Sequence, residues 1–348
     1  MKKSLLSLFI ASFCMTAFSL HAQNSLRGGF VENADVFVYV DIAKMNQSPF
    51  SKAVEAQQSA EDKALADEKA AAFTAATGLT EEDVLSLAFS MDIDNIDFEA
   101  ADPSVLEEAQ AVVAIELAKS ITLEQAKAGL ESMGEEDIDA EITITNEDGL
   151  DVIKLESNND EDGPDKAYGT LSQDGKTLMV AFNTLSLKDA LSRISEGKTA
   201  APTADMAAAM QAMGNRQARI VLVLPAVARQ KIQEGVQAAA AQPGMGAMMM
   251  PFATAKSLLI SADTAEFLDF YLSLDLGNAG NAQQATGMVQ GMLPMMMMSL
   301  GPQAAELAQK IKIASQDSVV TLSVQVSADD IKKMTDAAGG DDMMMEME

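Results

Sequence analysis

Two kinds of side chain in this sequence can do chemistry in quantity: thioethers and carboxylates. Methionine occurs 24 times and clusters at 245–250 (MGAMMM), 288–298 (MVQGMLPMMMM) and 343–347 (MMMEM). Thioethers are soft ligands that suit Cu(I), so Met295, Met296, Met297, Met298, Met343, Met344 and Met345 are the candidate metal ligands. Methionine is also flexible and polarizable, which suits a plastic apolar surface. Met248, Met249, Met250, Met288 and Met292 are accordingly the candidate surface for a ligand or partner. The competing reading places these residues in the core, because Met288, Met292 and Met295–Met296 recur at helical spacing, although Pro294 interrupts that helix.

The carboxylates offer hard oxygen ligands. Asn158, Asp160, Asp162 and Gly163 match the first half of a calcium-binding EF-hand loop, but the position that must carry the closing Glu is Gly169, so the motif fails. Asp92, Asp94 and Asp97 form a second acidic group that can hold a hard cation weakly. A hydrolase built on paired carboxylates is a third reading, with no pair singled out by spacing.

The segment that opens the chain narrows the choices. MKKSLLSLFIASFCMTAFSLHAQ has a positive start at Lys2 and Lys3, an uncharged apolar run and small Ala22 before Gln23, the three parts of a secretory signal peptide over 1–22. Cleavage there removes Cys14 and His21, the chain's only Cys and only His, and takes the net charge from −28 to −30. The mature chain then has no Ser-His-Asp triad, no thiol nucleophile and no ordinary zinc site. No phosphate-binding glycine loop stands in a strand–turn–helix setting. Its charge repels nucleic-acid phosphates, which excludes nucleic acid as a primary partner. After cleavage no uncharged run reaches membrane-spanning length, so no transmembrane anchor is expected. The expected address is the periplasm or the extracellular space.

The elements that must position these residues follow from periodicity. VFVYVDI at 36–42, VLSLAFSM at 84–91 and AVVAIELA at 111–118 read as strands. A helical stretch is expected from Ser48-Pro49 to about Ala76, ended by Gly78. Thr122 and Gln125 form a capping box, and AEITITN and LDVIKLE meet across Glu147-Asp148-Gly149 as a hairpin. Ser186 and Ser327 are each expected to cap a helix through a Ser-x-x-Asp start. A second series follows: IVLV at 220–223, KSLLISAD at 256–263, FLDFYLSLDL at 267–276 and a helix from about Ala279 to Leu300.

The two series share an order. Ser-Gln-Asp opens both 172–191 and 315–333, IVLV matches FVYV at 37–40, and KSLLISAD matches LSLAFSMD at 85–92. The expected fold is therefore α+β with an internal duplication, each half a mostly antiparallel sheet with helices packed on one face. The halves are residues 30–197 and 218–337. They are joined by a linker at 198–217 that carries a short helix with Met206, Met210 and Met213 on one face. A disordered acidic Met-rich tail is expected at 338–348.

With ADVFVYVDIAK at 34–44 and LMVAFNTLSLKDALSRISEGKTAAPTADMAAAM at 178–210, the chain resembles uncharacterised secreted or membrane-attached bacterial proteins that carry a tandemly duplicated domain of unknown function. That resemblance implies the fold and the export, and it brings no assigned activity. The functional expectation is an exported, non-enzymatic binding or interaction protein of the cell envelope, without a cofactor. Its partner is a protein or a hydrophobic small molecule, met on the helix at 279–300 and the loop at 245–252. The alternatives are a carrier of a hydrophobic ligand or Cu(I), and the carboxylate hydrolase.

Overall fold

The computed structural model describes residues 31–94, 109–132, 140–157, 166–198, 200–240, 250–299 and 302–333. The tail, the half EF-hand loop, Asp97, Met248, Met249 and Met343–Met345 lie outside them. The side chains of Met296, Met297 and Met298 are likewise outside the description. The architecture is α+β, with every described strand pairing antiparallel. Two compact units divide the chain: residues 1–47 with 58–204, and residues 48–57 with 205–348.

In chain order the first stretch runs β1 (Val36–Val40), α1 (Ile42–Gln47), α2 (Pro49–Glu55) and α3 (Ala60–Thr77). After these come β2 (Val84–Met91), β3 (Ala111–Leu117), α4 (Leu123–Glu131), β4 (Ala140–Glu147), β5 (Leu150–Ser157), β6 (Lys166–Leu171), β7 (Thr177–Ala181) and α5 (Thr184–Ser195). All but α2 belong to the first unit, whose sheet order is β1-β2-β3-β7-β6-β5-β4. Asp148 and Gly149 both have positive φ, 53° and 82°, which is the turn a two-residue hairpin between β4 and β5 requires.

Three expectations are corrected here. The helical stretch from 48 to 76 is not one helix: α2 ends at Glu55, and α3 begins at Ala60. The cap of α5 is Asn183, whose Oδ1 accepts the Ser186 N–H at 2.9 Å. Ser186 sits one turn inside, buried, because the chain leaves β7 at Ala181 and the short Asn side chain reaches the free N–H groups first. Helices on one face do not describe the first unit either. Ala126 and Leu130 of α4 pack with Val113 and Ile115, yet Val112, Ala114 and Met179 on the opposite face are buried as well, and α5 lies on β3, β6 and β7. β3 is therefore apolar at nearly every position rather than alternating, as a strand covered on both faces must be.

The capping box at Thr122 forms as expected, with Gln125 N–H to Thr122 Oγ1 at 3.2 Å and Thr122 N–H to Gln125 Oε1 at 2.9 Å. Gln125 Nε2 also donates to the Thr77 carbonyl at 3.0 Å, so one side chain satisfies the start of α4 and the end of α3.

The remainder runs α6 (Ala204–Met213), β8 (Ala218–Val223), α7 (Ala226–Ala240), β9 (Ser257–Thr264), β10 (Leu268–Asp275), α8 (Ala279–Ser299), α9 (Pro302–Lys310), β11 (Lys312–Gln316) and β12 (Val319–Val326). Met206 and Met213 of α6 are buried and Met210 is half-buried. The second unit's strands run in the order β11-β12-β10-β9-β8. Its core gathers Ala255, Leu276, Ala282, Ala285 and Val320 beneath α8. Ser327 caps the last helical segment as expected: Asp330 N–H reaches Ser327 Oγ at 3.2 Å and Ser327 N–H reaches Asp330 Oδ2 at 2.9 Å. Among the described residues no helix is long and apolar enough to cross a membrane.

Candidate functional site

Two places gather the chemistry that the sequence singled out. In the second unit, α8 carries the methionines. Asn278 Oδ1 accepts the Asn281 N–H at 2.8 Å and starts the helix, and Gln290 Nε2 ties it to the Ile313 carbonyl of β11 at 3.1 Å. Between Ala279 and Ser299 it has no Asp, Glu, Lys or Arg, in a chain whose net charge is −28.

Its inward stripe is buried at Ala282 and Ala285 and half-buried at Val289 and Met292. Met288, half-buried, and Met295, 67% exposed, lie seven residues apart on the row beside that stripe. Pro294 stands inside the helix just before Met295, where its missing N–H leaves a carbonyl of the preceding turn without its usual donor. Met250, on the short 3-10 turn Met250–Thr254, is 49% exposed. The helix the sequence proposed as a contact surface thus exists with its expected ends. None of its described methionines is buried: Met288 and Met292 are half-buried and Met295 is exposed.

In the first unit, the antiparallel register pairs Val36 with Met91, which sets Asp35 before β1 across from Asp92 after β2. Carboxylate oxygens of Asp35, Asp92 and Asp94 lie within 4.8 Å of one another. Asp35 is only 5% exposed; its Oδ2 accepts the Ile93 N–H at 3.1 Å, and Asp92 Oδ1 accepts the Asp94 N–H at 2.9 Å. Burial pushes the Asp35 carboxyl up to about 6, assisted by the negative charges of Asp94 and Asp92 and opposed by the Ile93 hydrogen bond. Such a group can share a proton with its neighbour near neutrality, and the same oxygen set suits a hard cation. Sequence reading named Asp92 and Asp94 but missed Asp35, which becomes their neighbour only through strand pairing.

At the corner of β8 and β9, Asp263 accepts the Gln217 N–H at 2.9 Å and pairs with Arg216 at 3.2 Å. Arg216 also lies over the Tyr271 ring, 5.5 Å from its centre.

A cavity of about 420 Å³ opens beside β12, lined among others by Phe267, Asp269, Lys312 and Gln325. At its rim Lys310 Nζ contacts Asp330 at 2.6 Å. Burial pulls the Asp330 carboxyl upward, but the bonds from Lys310 and Ser327 outweigh it and hold the group at about 2.

No family model matches the chain, and no curated protein matches it. Among solved structures it is similar to TP0453 of Treponema in its crystal form I, at 11% identity and a TM-score of 0.39, over 88% of this chain and 95% of that one. At that score and identity the likeness carries no argument about what this chain does.

Proposed function

We propose that this is an exported, non-enzymatic binding protein of the cell envelope that meets an apolar partner on the C-terminal half of α8. The observation that carries the reading is a 21-residue helix without a charged side chain on which the large apolar Met295 stands 67% exposed. In a chain this acidic, an apolar surface free of charge is where a partner loses least on desolvation. A flexible thioether there adapts to a surface that is not rigidly complementary. The partner is a protein or a hydrophobic small molecule, and the chain reaches it after loss of residues 1–22.

The same proposal takes the two units as copies. The order β1-β2-β3-β7-β6 in one has its counterpart in β8-β9-β10-β12-β11 in the other, with β5 and β4 additional in the first. Ser172-Gln173-Asp174 leads into the β6–β7 turn, and Ser315-Gln316-Asp317 into the β11–β12 turn. On this reading the contact helix α8 is the second unit's form of α4, lengthened and stripped of charge.

Affinity purification of the tagged full chain from its own envelope tests the proposal. Met295→Glu is expected to reduce the co-purified partner at least tenfold while leaving the thermal midpoint near that of wild type, since an exposed position tolerates charge. Undiminished recovery with the Glu variant contradicts the docking face.

A further inference from the structure

The sheet order of the first unit ends at β4, and among the described residues no strand pairs with its outer edge. An unpaired edge is a template for another strand, and proteins commonly blunt it with Pro, Lys, a bulge or short length. β4 has none of these: it runs eight residues, AEITITNE, in unbroken register with β5. β11, which ends the strand order in the second unit, is the contrast. It has five residues and opens on Lys312, and its Ile313 carbonyl already accepts Gln290 Nε2 at 3.1 Å.

The outward groups of β4 follow from its hairpin. Glu147 and Leu150 flank the two-residue turn, so they exchange main-chain hydrogen bonds, and bonded pairs then alternate along the ladder. Thr145, Thr143 and Glu141 are therefore bonded to β5, while Asn146, Ile144, Ile142 and Ala140 turn their N–H and C=O outward. Asp151, opposite Asn146, confirms the parity: its carbonyl points toward β6 and accepts Thr170 Oγ1 at 3.0 Å.

We propose that β4 pairs antiparallel with the β4 of a second copy of this chain, about a two-fold axis through Thr143. In that register Ile142 meets the second copy's Ile144 and Ala140 meets its Asn146. These outward groups exchange about eight main-chain hydrogen bonds across an interface built from one surface used twice. Ile144, an apolar side chain left 38% exposed, gains the copy's Ile142 beside it. The contact lies on the face where Ile142 already packs on the core that holds Ile153 and Leu155. Thr143 faces Thr143 and Glu141 faces Thr145, so no carboxylate opposes another. An axis at Ile144 would set Glu141 against Glu147, and one at Ile142 would leave Asn146 with no opposite residue in β4. Charge and length together choose the register. Each chain still carries a net charge of −28, so added salt is expected to strengthen the pairing by screening that repulsion.

The test uses the full mature chain, which from Gln23 onward has no cysteine, so that single replacements report the register. Thr143 and Thr145 are both half-buried on one face of β4, and only position 143 lies opposite itself. Under mild oxidation at high salt, Thr143→Cys is expected to form a disulfide-linked dimer at least tenfold faster than Thr145→Cys. Sedimentation of the wild type is expected to show mass rising from one chain toward two with concentration, more so at high salt than at low. Ile144→Lys, at an exposed position, is expected to keep the wild-type thermal midpoint and to remain a single chain throughout. Equal disulfide rates at the two positions, or a wild type that stays a single chain at every concentration and salt, overturn the proposal. An Ile144→Lys variant that dimerises like the wild type places any seam elsewhere and overturns it as well.

Discussion

Replacing Gly175 by Val is expected to destabilise the first unit by roughly 3 kcal/mol or more, because two independent costs meet at one backbone position. Gly175 sits at φ +68°, where an L side chain is strained by about 1–2 kcal/mol. A Cβ there also lies 2.7 Å from the Ile121 carbonyl oxygen and 3.3 Å from the Ile121 nitrogen, and backbone atoms cannot rotate away as a side chain can. Retreat is blocked from both sides: Gly175 N–H donates to the Ser172 carbonyl at 2.8 Å, and the Gly175 carbonyl accepts the Ile121 N–H at 3.0 Å. Gly197 separates the two costs, since it has φ +64° but nothing within 4 Å of a built Cβ. Gly197→Val is therefore expected to show the conformational cost alone. Urea unfolding of both variants measures the difference, and equal losses at the two sites would remove the close approach from the explanation.

Asp35→Asn is expected to make the protein more stable at pH 7.5 and to flatten its stability profile between about pH 4 and 6. Folding raises the Asp35 carboxyl from its ordinary 3.8 to about 6, so the folded chain holds this proton more tightly than the unfolded chain. The resulting stabilisation is complete below 3.8, where both states are protonated, and is lost as pH rises through about 6. At 1.36 kcal/mol per unit the full effect is about 3 kcal/mol, an upper bound. Asparagine keeps an acceptor for the Ile93 N–H and carries no charge toward Asp92 or Asp94. Thermal midpoints of the two proteins should therefore converge near pH 4 and part near neutrality, with the variant higher. A constant offset across that range would contradict the buried, proton-holding carboxyl.

The parts of the fold that were legible in the sequence are those whose cause is local. The β4–β5 hairpin declares itself because Asp148-Gly149 supplies two residues that tolerate positive φ. Thr122 and Gln125 declare the start of α4 because both halves of the capping box lie within four positions. β2 and the span of α8 were placed closely by their apolar runs and by the residues that bound them.

What was not legible depends on tertiary partners. Ser186 has the right spacing to Asp189 for a cap, but the exit point of β7 decides which residue stands at the helix start. The cover on both faces of β3 depends on where α5 comes to rest. Asp35 and Ile93, 58 positions apart, meet only because β1 and β2 pair in one register, and that pairing brings Asp35 to Asp92. The methionine clusters posed the sharpest alternative, core or surface. On α8 the covered positions are Ala282 and Ala285, while Met288 and Met292 are half-buried and Met295, on the row beside the covered stripe, is exposed.

The docking role of α8 is tested most directly by photo-cross-linking in the native envelope. A photoactivatable residue would be placed at position 295 and, in a separate protein, at position 65, where Leu65 is comparably exposed on the charge-rich α3. A discrete adduct from position 295 and none from position 65 is the expected result. Adducts of the same mass and yield from both positions, or none from either, would contradict a contact surface on α8.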